Sequence, residues 1–329
     1  MKTSVAMCTY NGSRYLREQL ESIALQTHLP DELIICDDGS TDGTVPLISE
    51  FSRRIEFPVR LFRNRENLGP TKNFEKAISH CGEDIIILSD QDDVWKPKKI
   101  ERLLKSFEEH PDAAYVFSDA ELIDEHGKCL NQTLWGTLEF QPGDFVGTGQ
   151  LRILLKRNVV TGAGMAFLGS LFKTVTPIPS GWMHDYWIGL LGSTLSYGIA
   201  APEPLFMYRL HMAQVCGARK ETFSQKYRLS LASNEEDAWE KLKSFQKLIE
   251  HLESTGMLAS LPPDRVKLLR QKEFHLLQRA RSRSRSVFAR TATVLGEISS
   301  GRYHRFSDSY LSAVRDLLGS QQEETSNLQ

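Results

Sequence analysis

Through the first 118 residues the chain repeats one rhythm: a short run of consecutive apolar residues, a polar cluster, then a segment with apolar residues three and four apart. The apolar runs predict strands at Val5–Cys8, Glu32–Cys36, Val59–Arg63, Ile85–Leu88 and Ala114–Ser118. The segments between them predict helices at Arg14–Gln26, Thr44–Arg53, Thr71–His80 and Lys98–His110. Strands alternating with helices in this way predict an α/β fold, a βαβ sheet with helices on both faces. From 119 to 220 glycines, prolines and aromatics break the rhythm, and the pattern predicts loops, short strands and a few helices without fixing any strand. From Glu221 the spacing turns helical over Lys226–His251 and, after a break at Pro262-Pro263, over Asp264–Ala292. The expected organisation is therefore a domain over 1–220 and a C-terminal helical region over 221–329, ending in a polar, frayed tail.

Composition changes this picture little. With 40% hydrophobic residues in 329, the chain can bury a core. Lysine and arginine number 40 against 42 acids, a net charge of -2, which gives no reason to expect nucleic-acid binding. Cys8, Cys36, Cys81, Cys129 and Cys216 have no zinc-site spacing and read as reduced thiols. The start, MKTSVAMCTYNG, lacks a secretory pattern, and no apolar run approaches a membrane span, so the expected location is cytoplasmic.

Parallel strands joined by helices place ligands at their carboxyl ends, and that is where the polar clusters fall. Thr9-Tyr10-Asn11-Gly12 follows the first strand and on its own reads as an Asn-Gly turn. In Asp37-Asp38-Gly39-Ser40-Thr41-Asp42, the last three residues suit capping of the next helix, which leaves Asp37 and Asp38 unexplained. In Ser89-Asp90-Gln91-Asp92-Asp93 two carboxylates one residue apart can hold Mg2+ or Mn2+ together with a diphosphate, whereas Asp93 can equally cap a helix starting near Pro97. His184-Asp185, within SGWMHDYWIGLL, offers a general base with a histidine beside it, or an N-cap for a helix over Tyr186–Leu191. In the segment Tyr208-Arg209-Leu210-His211, Arg209 and His211 add groups that can offset the charge of a diphosphate. The run at 279–305, with its repeated arginines and Val287, Phe288, Val294, Leu295 and Ile298, suits an anionic membrane surface, a solvated helix face or a dimer contact.

Taken in order, these pieces resemble the family 2 inverting glycosyltransferases of the GT-A fold, and within them the rhamnosyltransferase-like members. TYNGSRYLREQLESIALQT, DDGSTDGT, NLGPTKNFEKAI, LSDQDDVW, NVVTGAGMAF, HDYW and YRLHMAQVCG follow that family's motif order over residues 1–220. Residues 221–329 carry no such likeness. The resemblance implies that Thr9 and Asp38 contact the nucleotide base and Asp90 the ribose, with Tyr10, Asn11, Asn67, Lys72 and Gln91 also on the donor side. Asp92 ligates the cation that bridges the donor diphosphate, with His211 near it, and Asp185 is the base that deprotonates the acceptor hydroxyl. Thr161, Gly162, Trp182 and His184 fall on the acceptor side. Two positions depart from the pattern: His184 stands where many relatives carry Glu, and Gln214 where Asn is usual.

The implied reaction moves a sugar from a nucleoside diphosphate donor to a growing cell-surface polysaccharide or lipid-linked glycan in a bacterium, with peripheral membrane contact through 279–305. The subgroup likeness favours dTDP-rhamnose, with a UDP-hexose as the alternative. A binder that has lost catalysis has no need of both Asp92 and Asp185. A nucleotidyltransferase is expected to carry a glycine-rich, lysine-bearing loop where this chain has CTYNGSRYL.

Overall fold

The computed structural model of the protein describes residues 1–212, 235–283, 286–307 and 311–318. They fall into two compact units, one of 1–150, 159–178 and 182–212, the other of 151–158, 179–181 and the described residues from 235 onward.

In the first unit the strands are β1 (Thr3–Thr9), β2 (Glu32–Asp37), β3 (Val59–Arg63), β4 (Ile85–Ser89), β5 (Val94–Trp95), β6 (Tyr115–Ile123), β7 (Cys129–Thr133), β8 (Met165–Leu168) and β9 (Gly198–Arg209). Among the described residues these nine form one mixed sheet in the order β3-β2-β1-β4-β8-β6-β9-β5, with β7 on the flank of β6. β1, β2, β3 and β4 run parallel, as the alternation with helices predicts. β8 turns antiparallel between β4 and β6, which makes the sheet mixed. Every residue of β1, β2 and β4 is buried, which explains why their sequences are continuous apolar runs.

Helices α1 (Leu16–Ala24), α2 (Thr44–Ser52), α3 (Pro70–Ser79) and α4 (Lys99–Glu109) follow the first four predicted segments to within two residues at each end. α1 buries Leu16, Leu20 and Ile23, and α4 buries Ile100, Leu103, Leu104 and Phe107, the apolar stripe of each. α3 opens with Gly69 at φ 77 followed by Pro70 at its first position, so the loop before it turns sharply into the helix. Between β7 and β9 lie α5 (Leu134–Thr137), α6 (Thr148–Lys156), α7 (Phe172–Val175) and α8 (His184–Leu195).

The strands of the middle region escape a pattern reading for a visible reason. β9 contains Pro202 and Pro204 and pairs with β6 through register shifts around Asp119, so neither its composition nor its spacing resembles a regular strand.

The second unit contains α9 (Glu235–Ser254), α10 (Met257–Ser260), α11 (Pro263–Arg283), α12 (Val287–Ser299), α13 (Arg302–Phe306) and α14 (Leu311–Leu318). The single helix expected over Asp264–Ala292 is two helices: α11 ends at Arg283, and Ser286 is extended at φ -56, ψ 153 before α12 begins. The start of the expected Lys226–His251 helix and the polar tail lie outside the described residues. The core of this unit is partly polar. His275 on α11 is fully buried, with Nδ1 2.6 Å from Glu297 and Nε2 3.0 Å from Ser307. Arg279 pairs with buried Asp316 at 2.6 Å, and Tyr303 donates its hydroxyl to the same carboxylate at 2.8 Å. Arg302 pairs with Glu297, Arg290 donates to the Leu317 carbonyl and Arg305 to the Ser300 carbonyl. Among the described residues, Arg279, Arg290, Arg302 and Arg305 of the basic run at 279–305 thus bind inside their own unit. Val287, Phe288 and Leu295 do stand exposed on α12, Phe288 at 90%. Among the described residues no helix is long and apolar enough to cross a membrane. Cys8, Cys36, Cys81 and Cys129 are free thiols, and Cys216 lies outside the described residues.

Candidate active site

The parallel register sets the site. Thr9 at the end of β1 is paired with Asp37 at the end of β2, and Met7 is level with Ser89 at the end of β4. The loops that leave these strands therefore start side by side. Thr9 and Asp37 are both buried, and the Thr9 hydroxyl donates to Asp37 Oδ2 at 3.0 Å. Asp37 also accepts the Ser40 amide at 3.0 Å and the Ser40 hydroxyl, so Ser40 braces the turn instead of capping α2. The N-cap of α2 is Gly43, and of the three expected capping residues Asp42 alone accepts a first-turn amide, that of Thr44, at 3.0 Å.

Asp38 is nearly fully buried, and its carboxylate accepts from Asn64 Nδ2 at 2.7 Å and from the amides of Leu68 and Gly69 at 2.8 and 2.9 Å. It ties the second strand-end loop to the turn that opens α3. Asn67 lies in that turn, its side-chain oxygen accepting the Gly69 amide at 3.1 Å. Lys72, in contrast, is turned toward Glu75 at 2.6 Å and the Ile178 carbonyl at 2.8 Å.

The first loop is clamped to the third. Gln91 accepts the Tyr10 amide at 2.9 Å and donates to the Tyr10 carbonyl at 3.0 Å, leaving the Tyr10 ring half exposed. Gly12 makes room for this clamp, since a Cβ there would sit 2.0 Å from Gln91 Oε1. Asn11 adopts φ 47, a left-handed conformation that Asn tolerates. From there its amide donates to Ser40 Oγ at 2.9 Å, and its Oδ1 accepts the Thr41 amide at 2.9 Å.

The acidic loop divides its three carboxylates. Asp92 lies 2.8 Å from His211 Nε2, and both side chains keep some surface, 17% and 10%. Burial, with Asp92 and Asp185 nearby, pushes the Asp90 carboxyl up to about 7. Asp93 is buried; Oδ1 accepts the Arg209 amide at 3.1 Å, and Oδ2 has no protein partner. Burial and the two neighbouring acids hold its carboxyl well above the usual range. Helix capping is not its role, because β5 intervenes and Lys98 occupies the N-cap of α4. Arg209 is also buried, with Nε donating to the Asp92 carbonyl at 2.9 Å, a pair to Glu18 at 2.7 Å, and its guanidinium 4.7 Å from the Tyr15 ring centroid. It buttresses the acidic loop from behind instead of presenting a free charge to a ligand. Gln214 lies outside the described residues.

Asp185 sits in the first turn of α8, whose N-cap is Met183, so it is not the N-cap itself. Its Oδ2 accepts the Gly162 amide at 3.0 Å and its Oδ1 the Tyr186 amide at 2.6 Å. Two backbone donors fix the carboxylate and leave lone pairs for a third partner. His184 is buried, stacks on Phe74 with centroids 4.0 Å apart, and has both ring nitrogens without a protein partner. Burial lowers its pKa, so the ring is neutral. A Cβ on Gly162 would lie 2.9 Å from His184 Nε2, so glycine is what lets this turn pass the ring. Thr161 precedes the turn and its carbonyl accepts the Gly164 amide at 3.0 Å. Trp182 packs between Tyr186 and Trp187, with centroids 5.2 and 5.3 Å away.

For a divalent cation, Asp92 and His211 offer one carboxylate and one imidazole at hydrogen-bond distance on a partly open surface. Among the described residues no three His, Cys, Asp or Glu side chains converge into a complete metal site. The pair suits a cation that takes its remaining ligands from a bound diphosphate and water. Lys99 is the participant that a sequence reading passes over, and Asp37 and Asp93 are residues it notices without assigning them a bracing role. A buried lysine carries no signature of its own on an amphipathic helix, and Asp37 and Asp93 look like second copies of their acidic neighbours.

The chain is similar to known proteins along much of its length. The family model described as Glycosyl transferase family 2 matches residues 4–174, over half of the chain. A Mycobacterium tuberculosis protein with no assigned function is 28% identical over 211 residues, 63% of this chain and 58% of its own, so the chain spans less than two thirds of that relative. An uncharacterised glycosyltransferase of Haemophilus influenzae is 25% identical over 215 residues, 63% of this chain and 65% of its own. Among solved structures, Staphylococcus aureus TarS 1-349 in complex with UDP-GlcNAc is similar with a TM-score of 0.55 at 16% identity, covering 96% of this chain and 88% of that one. A Pyrobaculum calidifontis mannosyltransferase in complex with GDP-Man and Mn2+ is similar with a TM-score of 0.50 at 16% identity, covering 98% and 88%.

Proposed function

The chain belongs to glycosyl transferase family 2, and from that premise we propose that it moves a sugar from a nucleoside diphosphate donor to a glycan or lipid-linked acceptor, with inversion at the anomeric carbon. The observation that carries this reading is Asp185: a carboxylate held by the Gly162 and Tyr186 amides, close enough to Asp90 to raise the Asp90 pKa. A fixed base facing the donor loops is what a one-step displacement needs. The acceptor oxygen bonds to the anomeric carbon, its proton passes to Asp185, and the bond from that carbon to the diphosphate breaks.

On the donor side, Asp37 and Gln91 lock the loops of Asp37–Ser40 and Asp90–Asp93 to that of Thr9–Gly12, and Asp38 ties the Asp37–Ser40 loop to the turn that opens α3. That rigidity supports a preformed nucleotide site at the strand ends. Mg2+ or Mn2+ held by Asp92 and His211 would supply positive charge to the leaving diphosphate. The Mn2+ in complex with the Pyrobaculum mannosyltransferase supports the same use here. The motif likeness supports dTDP-rhamnose as donor, and the sugar nucleotides of the structural neighbours keep a UDP-hexose in view. A nucleotide-sugar donor supports a cytoplasmic site of action, at the inner face of the plasma membrane where the acceptor is lipid-linked. Exposed Val287, Phe288 and Leu295 support peripheral contact there, whereas the arginines bound inside the helical unit do not.

The donor is identified by thermal stabilisation in a panel of nucleotide sugars with and without Mn2+. The reading expects one sugar nucleotide to raise the melting temperature in a manganese-dependent way. No response to any dTDP-, UDP- or GDP-sugar contradicts it.

A further inference from the structure

Lys99, the first residue of α4, is fully buried. Its ammonium lies 3.9 Å from the Trp95 ring centroid and 4.6 Å from that of Phe206, and it donates to the carbonyl of Ala163. Burial lowers its pKa to about 7, against the upward pull of Asp93 and Asp90. A lysine is rarely placed so deep without a partner for its charge, and here the partners lie on two separate segments. One is the acidic loop. The other is the Gly162-Ala163-Gly164 turn, whose Gly162 amide holds Asp185. Gly164 packs so closely that a Cβ on it would meet the Ser118 carbonyl at 2.9 Å, which leaves this turn little freedom except through the contacts at its apex.

We propose that Lys99 is a positioning residue: it pins the Ala163 carbonyl and thereby fixes the Gly162 amide and the Asp185 carboxylate relative to the acidic loop. The inference rests on the reading of Asp185 as base for its catalytic meaning, but its geometric content is testable without any donor. Lys99→Met keeps the side-chain volume and removes the donor; Lys99→Gln keeps an N–H donor on a side chain one atom shorter, directed at the same carbonyl.

Amide hydrogen exchange of the full-length protein, followed in peptides over 159–168 and 183–190, tests the inference. Lys99→Met is expected to speed exchange there by about tenfold or more while β1, β2 and β4 keep wild-type rates, and Lys99→Gln to stay within about threefold of wild type. With dTDP-rhamnose as donor, Lys99→Met is expected to lower kcat about 100-fold with little change in KM. Unchanged exchange in Lys99→Met, a uniform rise across the sheet, equal exchange in the two variants, or an effect on KM alone overturns the proposal. Should Lys99→Met not fold, wild-type protection of 159–168 in Lys99→Gln is the expected result, and its loss is the overturning one. Absence of transfer in the wild-type protein bears on the proposed function only, because exchange needs no donor.

Discussion

The Gly162 amide donates to Asp185 Oδ2 at 3.0 Å, across 23 residues of sequence, and with the Tyr186 amide on Oδ1 fixes the carboxylate at the first turn of α8. Backbone donors orient a base without neutralising it. Asp185→Asn preserves size but abolishes proton acceptance. Transfer is expected to fall about 100- to 10,000-fold while donor affinity stays within about threefold, checked by steady-state kinetics beside calorimetric binding.

Asp92 and His211, 2.8 Å apart, form the pair for a cation. Asp92→Asn and His211→Ala are each expected to reduce transfer by about 100- to 1,000-fold, the range for losing one element of charge stabilisation. A chelator titration checks the assignment: the wild type should fall to the level of the variants, and the variants should not respond.

Gly12→Ala separates stability from binding. The added methyl meets the end of the flexible Gln91 side chain, which can swing away, so the fold should survive with a melting temperature only a few degrees lower. Swinging away breaks the two bonds to the Tyr10 backbone. With a net value of about 1 kcal/mol for such bonds, donor binding should weaken about fivefold, read by titration calorimetry.

The helical unit should be acid-sensitive. Burial holds His275 down to about 4, below its unfolded value of about 6.5. The native state therefore binds fewer protons than the unfolded state between those values. The His275 contribution is fully present above about pH 6.5 and is lost as pH falls through about 4, on the order of 3 kcal/mol. Chemical denaturation of wild type and His275→Gln across pH 4 to 7.5 checks this, with the flatter profile expected for the variant.

The parallel half of the fold was legible because its strands are buried on both faces and its helices carry clean apolar stripes, signals that survive without tertiary context. β8 and β9 were not: β8 is only four residues long, and β9 is bulged and proline-bearing, so each draws its order from its neighbour β6 and not from its own sequence. For the site, Asp92 and His211 could be proposed from motifs, and the structure places them together. The roles of Asp93 and Arg209 could not, since both depend on a pairing across 116 residues that no local pattern encodes. For Arg279 and Arg302 the sequence shows the charge but not the pairing with Asp316 and Glu297 that the fold brings about.

Whether Asp185 drives inverting transfer from a nucleoside diphosphate sugar is tested most directly by NMR assignment of the anomeric configuration in the product. The wild-type protein and Asp185→Asn are run in parallel with the same donor and acceptor. The wild type is expected to give a product anomer opposite to that of the donor, and the variant no product within the same time. Retention of configuration, or wild-type turnover by Asp185→Asn, would contradict the assignment.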